Sequence, residues 1–200
     1  ENTIIAVSGD HGPAGFPHGK CNLYDFGSRV ALTVAGPGVR GARVVDDLVS
    51  LPDLAATFLE AGGVKVPDVM TSRSIWPTLS SSTVGLADPT RTQVFIGRER
   101  HVAIARAGQL PYPQRAIRTR NHLLIINFKP DRYPLGDHYH LGSDKEPDKN
   151  RLTANTFVTI ADEDAGPTKA WIVVNRHKPA VKPFFIRAYG KRPREELYDL

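Results

Sequence analysis

The feature that most constrains this 200-residue sequence is its opening, Thr3-Ile4-Ile5-Ala6-Val7-Ser8, an almost unbroken apolar run that stops at Gly9-Asp10-His11-Gly12. A run this short, closed by turn residues, predicts a strand buried on both faces in a parallel sheet. A polar Gly/Pro-rich loop follows over 9–20, and residues 29–35 read as a second apolar strand closed by Gly36-Pro37-Gly38. The clearest helix is 51–61. Ser50 and Asp53 fit a capping box, Pro52 sits in the first turn, and Gly62-Gly63 ends the helix. Leu51, Leu54, Ala55, Phe58 and Leu59 share one face, which predicts a core face.

Beyond the helix the pattern changes. Residues 67–92 read as loop, with Ser80-Ser81-Ser82-Thr83 exposed. Residues 94–97 read as a strand, and 116–119 with 122–128 as an antiparallel pair turning at Arg120-Asn121. Residues 129–155 are irregular, 168–175 a short helix and 196–200 an edge strand. The expected class is α/β, with a boundary that divides the chain into 1–90 and 91–200. The chain opens without Met and stops in mid-pattern, which suggests a segment of a longer protein whose targeting information lies upstream.

Composition removes several function classes. No window approaches 18 consecutive apolar residues, so a membrane-spanning helix is excluded. A single cysteine, Cys21, excludes an internal disulfide and a Cys-rich zinc site. The net charge of +5 is a modest basic excess, ordinary for a solvated surface and compatible with an anionic substrate. No nucleic-acid or membrane partner is expected, and the oligomeric state is left open.

In an open α/β sheet, ligands gather where loops leave the carboxyl ends of strands. Asp10 and His11 stand there and offer a hard charged oxygen beside a neutral nitrogen, a pair able to share one divalent cation. Two ligands do not close a coordination sphere. A turn-bonding aspartate is the competing reading.

Gly19-Lys20, Leu23-Tyr24-Asp25, Gly27, Arg29-Val30 and a second strand ending in Pro37-Gly38 complete a string that resembles the sulfatase family of the alkaline-phosphatase superfamily. The likeness continues through 45–51, Val66-Pro67-Asp68, Tyr112-Pro113 with 115–119, and 195–200, covering what corresponds to roughly the carboxyl-terminal half of such an enzyme. It implies part of an alkaline-phosphatase-like mixed, mostly parallel sheet flanked by helices, followed by a small antiparallel sheet with a helix. It also implies hydrolysis of the sulfate ester of a glycan or aryl substrate. Asp10 and His11 would be metal ligands for a divalent cation, calcium first, with magnesium or manganese as alternatives. Lys20 would hydrogen-bond the sulfate at its bridging oxygen, and His18 beside it is a second candidate to face the sulfate. Glu99, Arg100 and His101, after a strand end in a stretch similar to N-sulfoglucosamine sulfohydrolases, would contact substrate. The implied location is periplasmic, secreted or lysosomal.

The sequence also departs from the family. His11 stands where many members have Asn, and Gly9 and Ala31 replace Ser/Thr and Pro. The family's formylglycine nucleophile arises within Cys/Ser-x-Pro-x-Arg, and no such string occurs here: Cys21 is followed by Asn22-Leu23-Tyr24. This chain alone is therefore not expected to turn over sulfate esters. Asp46-Asp47 reads as helix-capping, and His138 and His140 as structural. Two alternatives remain, a phosphodiesterase or phosphonate monoester hydrolase of the same superfamily, and a non-catalytic remnant that binds anionic glycans.

Overall fold

Residues 2–142 and 146–200 are described by a computed structural model of the chain. Glu1 and residues 143–145, the latter within the stretch read as irregular, lie outside the described residues. The chain forms two compact units, one of residues 1–10, 30–95 and 118–121, the other of 11–29, 96–117 and 122–200. This is not a single cut at 90/91, since residues 11–29 group with the carboxyl-terminal part.

In the first unit, β1 (Ile5–Ser8) pairs antiparallel with β2 (Leu32–Ala35), with Ile5 opposite Ala35 and Ser8 opposite Leu32. The expected burial of this opening strand on both faces does not hold, for Ile5 is 59% and Val7 65% exposed. Its apolar run marks a β-rich segment, but among the described residues it has one hydrogen-bonded neighbour, and that one antiparallel.

The predicted helix is present as α2 (Asp53–Ala61), with a different face inward. Its buried residues are Asp53, Ala56 and Thr57, whereas Leu51, Ala55 and Phe58 are exposed. Hydrogen bonds explain the reversal. The Asp53 carboxylate accepts from Ser50 N–H at 3.1 Å, from Arg73 N–H at 2.9 Å and from the buried Arg91 guanidinium at 2.8 Å. Thr57 Oγ1 donates to the Asp53 carbonyl at 2.7 Å and accepts from Ile75 N–H at 2.9 Å. A polar seam at i and i+4 thus decides which side of the helix faces in. Residues 67–92, read as loop, contain the short helix α3 (Trp76–Ser80), whose end is held by Arg43 donating to the Thr78, Leu79 and Thr83 carbonyls. Asp47 caps no helix; its carboxylate accepts from the N–H groups of Ala87 and Asp88.

The second unit contains the one-turn helix α1 (Asp25–Ser28), α4 (Lys149–Ala154), α5 (Pro167–Val174) and α6 (Lys182–Tyr189). Pro167 begins α5 at a position where its missing N–H costs nothing. Of these helices only α5 was legible in the sequence. A four-stranded sheet is ordered β3 (Gln93–Arg98), β4 (Gln114–Thr119), β5 (His122–Asn127), β6 (Glu195–Asp199). β6 lies at its edge and runs antiparallel to β5, with His122 opposite Asp199. The whole is mixed α/β with a small antiparallel sheet, as expected; the parallel pairing of the opening strand is the element that fails.

Two apolar clusters build this unit. One joins Leu135, Leu152, Val158, Ile160 and the inner faces of α5 and α6, with Cys21 packed against it. The other joins Leu23, Ala116, Leu123 and Ile125, with Tyr24 and Ile96 against it. Residues 21–24 are therefore gripped on both sides, which fixes the backbone next to Lys20.

Removing the centre of the polar seam in the first unit should cost more than removing an apolar residue from α2. We expect Asp53→Ala to lower stability by about 3–5 kcal/mol, the scale of leaving a buried guanidinium unpaired. Phe58→Ala, at an exposed position, should cost under about 1 kcal/mol. Urea denaturation midpoints read both, and equal losses would contradict the polar seam.

Candidate active-site residues

The loop that begins at His11 folds back on itself through its backbone. Gly12 N–H donates to the Gly27 carbonyl at 2.9 Å and Lys20 N–H to the Pro13 carbonyl at 2.9 Å. A Cβ at Gly12 would lie 1.9 Å from the Phe26 carbonyl oxygen, so only glycine permits that approach. His18 and Cys21 flank Lys20 with φ of 63° and 72°, left-handed conformations held by the surrounding structure.

This backbone delivers the Lys20 ammonium to Asp164, with Nζ donating to Oδ2 at 2.9 Å. Asp164 ends the acidic run Asp162-Glu163-Asp164, and each member has its own counterpart. The Asp162 carboxylate is buried, lies 3.0 Å from an Arg106 nitrogen and accepts from Val102 N–H at 2.8 Å. His101 Nδ1 stands 3.7 Å from its other oxygen contact, Oδ1. Glu163 is equally buried and accepts from the Tyr189 hydroxyl at 2.9 Å, while its Oε2 has no hydrogen-bond partner among the described residues. Burial pushes the Glu163 carboxyl up to about 7. Burial also pushes the neighbouring Lys169 ammonium down to about 8, although it donates to the carbonyls of Thr156, Ile160 and Glu163.

Lys20 and His101 are thus brought to one three-residue segment, Lys20 at Asp164 and His101 beside Asp162. The other sequence candidates go elsewhere. His18 Nε2 lies 3.3 Å from the Arg187 carbonyl oxygen and 3.2 Å from an Arg192 nitrogen, its ring edge-on to Tyr24; burial, then Arg192, lowers its pKa. Glu99 pairs with Arg115 on the surface, and Arg100 donates to the Gln109 carbonyl at 3.1 Å. Asp10 belongs to the first unit and His11 to the second. His11 Nδ1 lies 2.7 Å from the Gly12 carbonyl oxygen. A carbonyl only accepts, so Nδ1 carries a proton and donates it there. Among the described residues, no group of three or more His, Cys, Asp or Glu is placed to hold a metal ion. Asp10 and His11 are of the donor types a hard cation takes, each within its own unit.

Arg98, unnoticed in the sequence, donates to the Cys21 and Pro134 carbonyls and so braces the backbone next to Lys20. Its burial lowers its pKa. Cys21 is a packed thiol pushed up to about 11 by burial, which leaves it protonated at neutral pH. His138 stacks on Tyr133 at 3.8 Å and lies 3.1 Å from the Tyr189 carbonyl oxygen, a packing role.

No family model matches the chain. Curated relatives do. An extracellular sulfatase SULF-1 homolog of Drosophila melanogaster is 39% identical over 92 residues, 44% of this chain and 8% of that protein. Human arylsulfatase K is 34% identical over 86 residues, 42% of this chain and 16% of that protein. Over these stretches the chain is similar in sequence to sulfatases. The match spans less than a fifth of either relative's length. Two solved structures overlap it in part. One, a protein in complex with its substrate D-glucosamine-2-N,6-O-disulfate, has a TM-score of 0.46 at 25% identity, over 62% of this chain and 25% of that one. The other, a protein assigned to the sulfatases from Bacteroides thetaiotaomicron, has a TM-score of 0.49 at 21% identity, over 63% of this chain and 27% of that one.

In this sulfatase-like chain the segment that anchors Lys20 also carries a group that titrates near neutral pH. Glu163 keeps its proton to about pH 7 when folded, against an ordinary value of 4.5. Between those values the folded state binds more protons than the unfolded one, so the Glu163 contribution to stability is full below pH 4.5 and is lost as pH rises through 7. Glu163→Gln keeps an acceptor for the Tyr189 hydroxyl and cannot ionise. We expect wild type to lose melting temperature relative to Glu163→Gln from pH 5 to 7.5, and parallel profiles for the two would contradict the uncompensated buried carboxylate.

Proposed function

We propose that this chain supplies the anion-binding lysine and two cation ligands of a sulfate-ester hydrolase acting on a sulfated glycan or aryl sulfate. The observation that carries the reading is the Lys20 ammonium, fixed 2.9 Å from Asp164 at the end of a tightly folded loop whose sequence resembles that of sulfatases. Cleaving a sulfate ester places negative charge on the leaving oxygen, and a preorganised ammonium stabilises charge that develops there. Lysine suits the task because its ammonium is compact and has three donors to share. When bound, a divalent cation, calcium first by the family resemblance, would add positive charge opposite the sulfuryl oxygens. Asp10 would give it a carboxylate oxygen and His11 its Nε2.

Glu99, Arg100 and His101 would meet the rest of the substrate. Of these, His101 lies nearest the Lys20 segment, beside Asp162. His18, turned to Arg187 and Arg192, serves this reading as a packing residue of the loop rather than a sulfate ligand. The nucleophile must come from sequence other than these 200 residues, which contain no Cys/Ser-x-Pro-x-Arg string. The compartment that fits is periplasmic, secreted or lysosomal, supported by the extracellular fly relative. No helix among the described residues is long and apolar enough to cross a membrane.

Binding tests the reading without turnover. Calorimetric titration of the chain with sulfated glucosamine in calcium should give saturable binding. Lys20→Ala should weaken it about tenfold or more, which corresponds to about 1.4 kcal/mol. Asp10→Ala should remove its calcium dependence. Glycan binding indifferent to calcium and to Lys20 would favour a non-catalytic glycan-binding module, and a preference for phosphate esters would favour the phosphodiesterase alternative.

A further inference from the structure

Between Asp164 and Glu195 the sequence holds eight Lys or Arg and no Asp or Glu, so this stretch carries more positive charge than the net +5 of the whole chain. We propose that five of its cations, Lys178, Lys182, Arg187, Lys191 and Arg194, form a docking strip for an extended sulfated glycan chain. The strip stands on charge and placement alone. Its occupant rests on the reading of the chain as part of a sulfate-ester hydrolase, and the proposal deepens that reading from a single sulfated sugar to a polymer.

Three of the eight cations are spent inside the second unit. Lys169 is buried among carbonyls, Arg176 is buried and grips Glu146 with two nitrogens at 2.6 Å each, and Arg192 donates to the Arg187 and Ala188 carbonyls. The five of the strip are exposed. Lys191 lies over the Tyr133 ring at 5.4 Å from its centre, a contact that leaves its charge in place. They follow one another along one element. Lys178 is one turn ahead of α6 and its carbonyl accepts from Lys182 N–H at 2.9 Å; Lys182 opens the helix, Arg187 stands in its last turn, and Lys191 and Arg194 lead on toward β6. Eight helical residues alone extend about 12 Å, longer than one sugar ring spans. Cations spaced along a line match an anion whose charges repeat along its length. The last turn of α6 also meets the loop that carries Lys20, since His18 Nε2 lies 3.3 Å from the Arg187 carbonyl oxygen and 3.2 Å from an Arg192 nitrogen. A glycan on the strip therefore continues to that loop.

The pattern of α6 favours a polyanion in water over a lipid surface. A helix that lies in a membrane interface keeps one apolar face for the acyl chains and gathers its charges on the other. In α6 the inward residues Phe185, Ala188 and Tyr189 already pack in the core. Its exposed arc mixes the two kinds, with Lys182 one turn from Ile186 and Pro183 one turn from Arg187. Among polyanions, the sulfate chemistry read for the neighbouring loop selects a sulfated chain.

The test is calorimetric titration of the full chain, in calcium, with a heparin octasaccharide and with sulfated glucosamine. The octasaccharide should bind about tenfold tighter or more, and a tenfold rise in salt should cost it about tenfold, because cations on a polyanion release its counterions. Lys182→Glu combined with Arg187→Glu should weaken the octasaccharide about tenfold or more and leave sulfated glucosamine unchanged. Lys182→Gln with Arg187→Gln should show a smaller loss in the same direction and replaces the reversal should that variant not fold. Lys65→Glu with Arg120→Glu, exposed positions of the first unit, makes the same change in net charge and should alter octasaccharide affinity less than about twofold. Unchanged octasaccharide affinity in the strip variants, or an equal loss in the control, would overturn the proposal. So would equally tight binding of a single-stranded DNA of matched charge, or binding to phosphatidylserine vesicles that the octasaccharide fails to displace. Sulfated glucosamine binding with no gain from chain length would overturn the strip and keep the hydrolase reading. Octasaccharide binding that needs the strip, with no binding of sulfated glucosamine, would keep the strip and overturn that reading.

Discussion

The second unit depends on how three adjacent acidic side chains are neutralised. Asp162, Glu163 and Asp164 cannot share one solution, because their side chains leave the backbone in different directions and two of them are buried. Asp162 takes a guanidinium, Glu163 takes a hydroxyl and keeps its proton toward neutral pH, and Asp164 reaches the rim and takes the Lys20 ammonium. Each solution recruits a different part of the chain: Arg106 before β4, Tyr189 at the end of α6, and Lys20 in the first loop. A segment without regular secondary structure thereby becomes the point where three regions meet. Buried acids in such a place are costly unless paired, so the pairing is strongly specified.

The sheet carries a second junction of the same type. Glu196 on β6 accepts from the Tyr24 hydroxyl at 2.8 Å, the Tyr198 hydroxyl at 2.6 Å and the Asn127 side-chain amide at 2.7 Å. Asn127 in turn accepts from Gln114 at 2.6 Å. Tyr24 sits four residues beyond Lys20, so the loop is tied at one end to the acidic segment and at the other to the edge of the sheet. A polar side chain in the middle of each tie gives the loop a unique seat that apolar packing alone would leave free to slide.

Much of this was legible in the sequence, and the failures share a cause. Strands β3 to β6 and helix α5 follow from apolar runs and turn residues, and the loop glycines with Lys20 stand out through a shared string. The inward face of α2 did not follow, because periodicity counts apolar side chains while Asp53 and Thr57 turn the helix by hydrogen bonding. Burial of the opening strand failed because an apolar run reports β propensity and not the number of neighbours a strand finds. Asp164 escaped notice for a simpler reason: nothing in local spacing ties it to Lys20. The visible hint was three acids in a row after Phe157-Val158-Thr159-Ile160-Ala161, a place where solvated charges are out of character.

The ties that seat the loop join residues far apart along the chain, 144 positions for Lys20 with Asp164 and 172 for Tyr24 with Glu196. Closing such long loops is entropically expensive and makes a fold slow to complete. On a ribosome, which extends the chain from its amino end, Lys20 emerges long before either anchor exists. The loop must wait, solvated and unseated, until residues 164 and 196 have been added. The late arrival of these anchors therefore decides whether the loop is seated, and a lesion that stops the chain before residue 196 would unseat it as surely as changes in the loop itself.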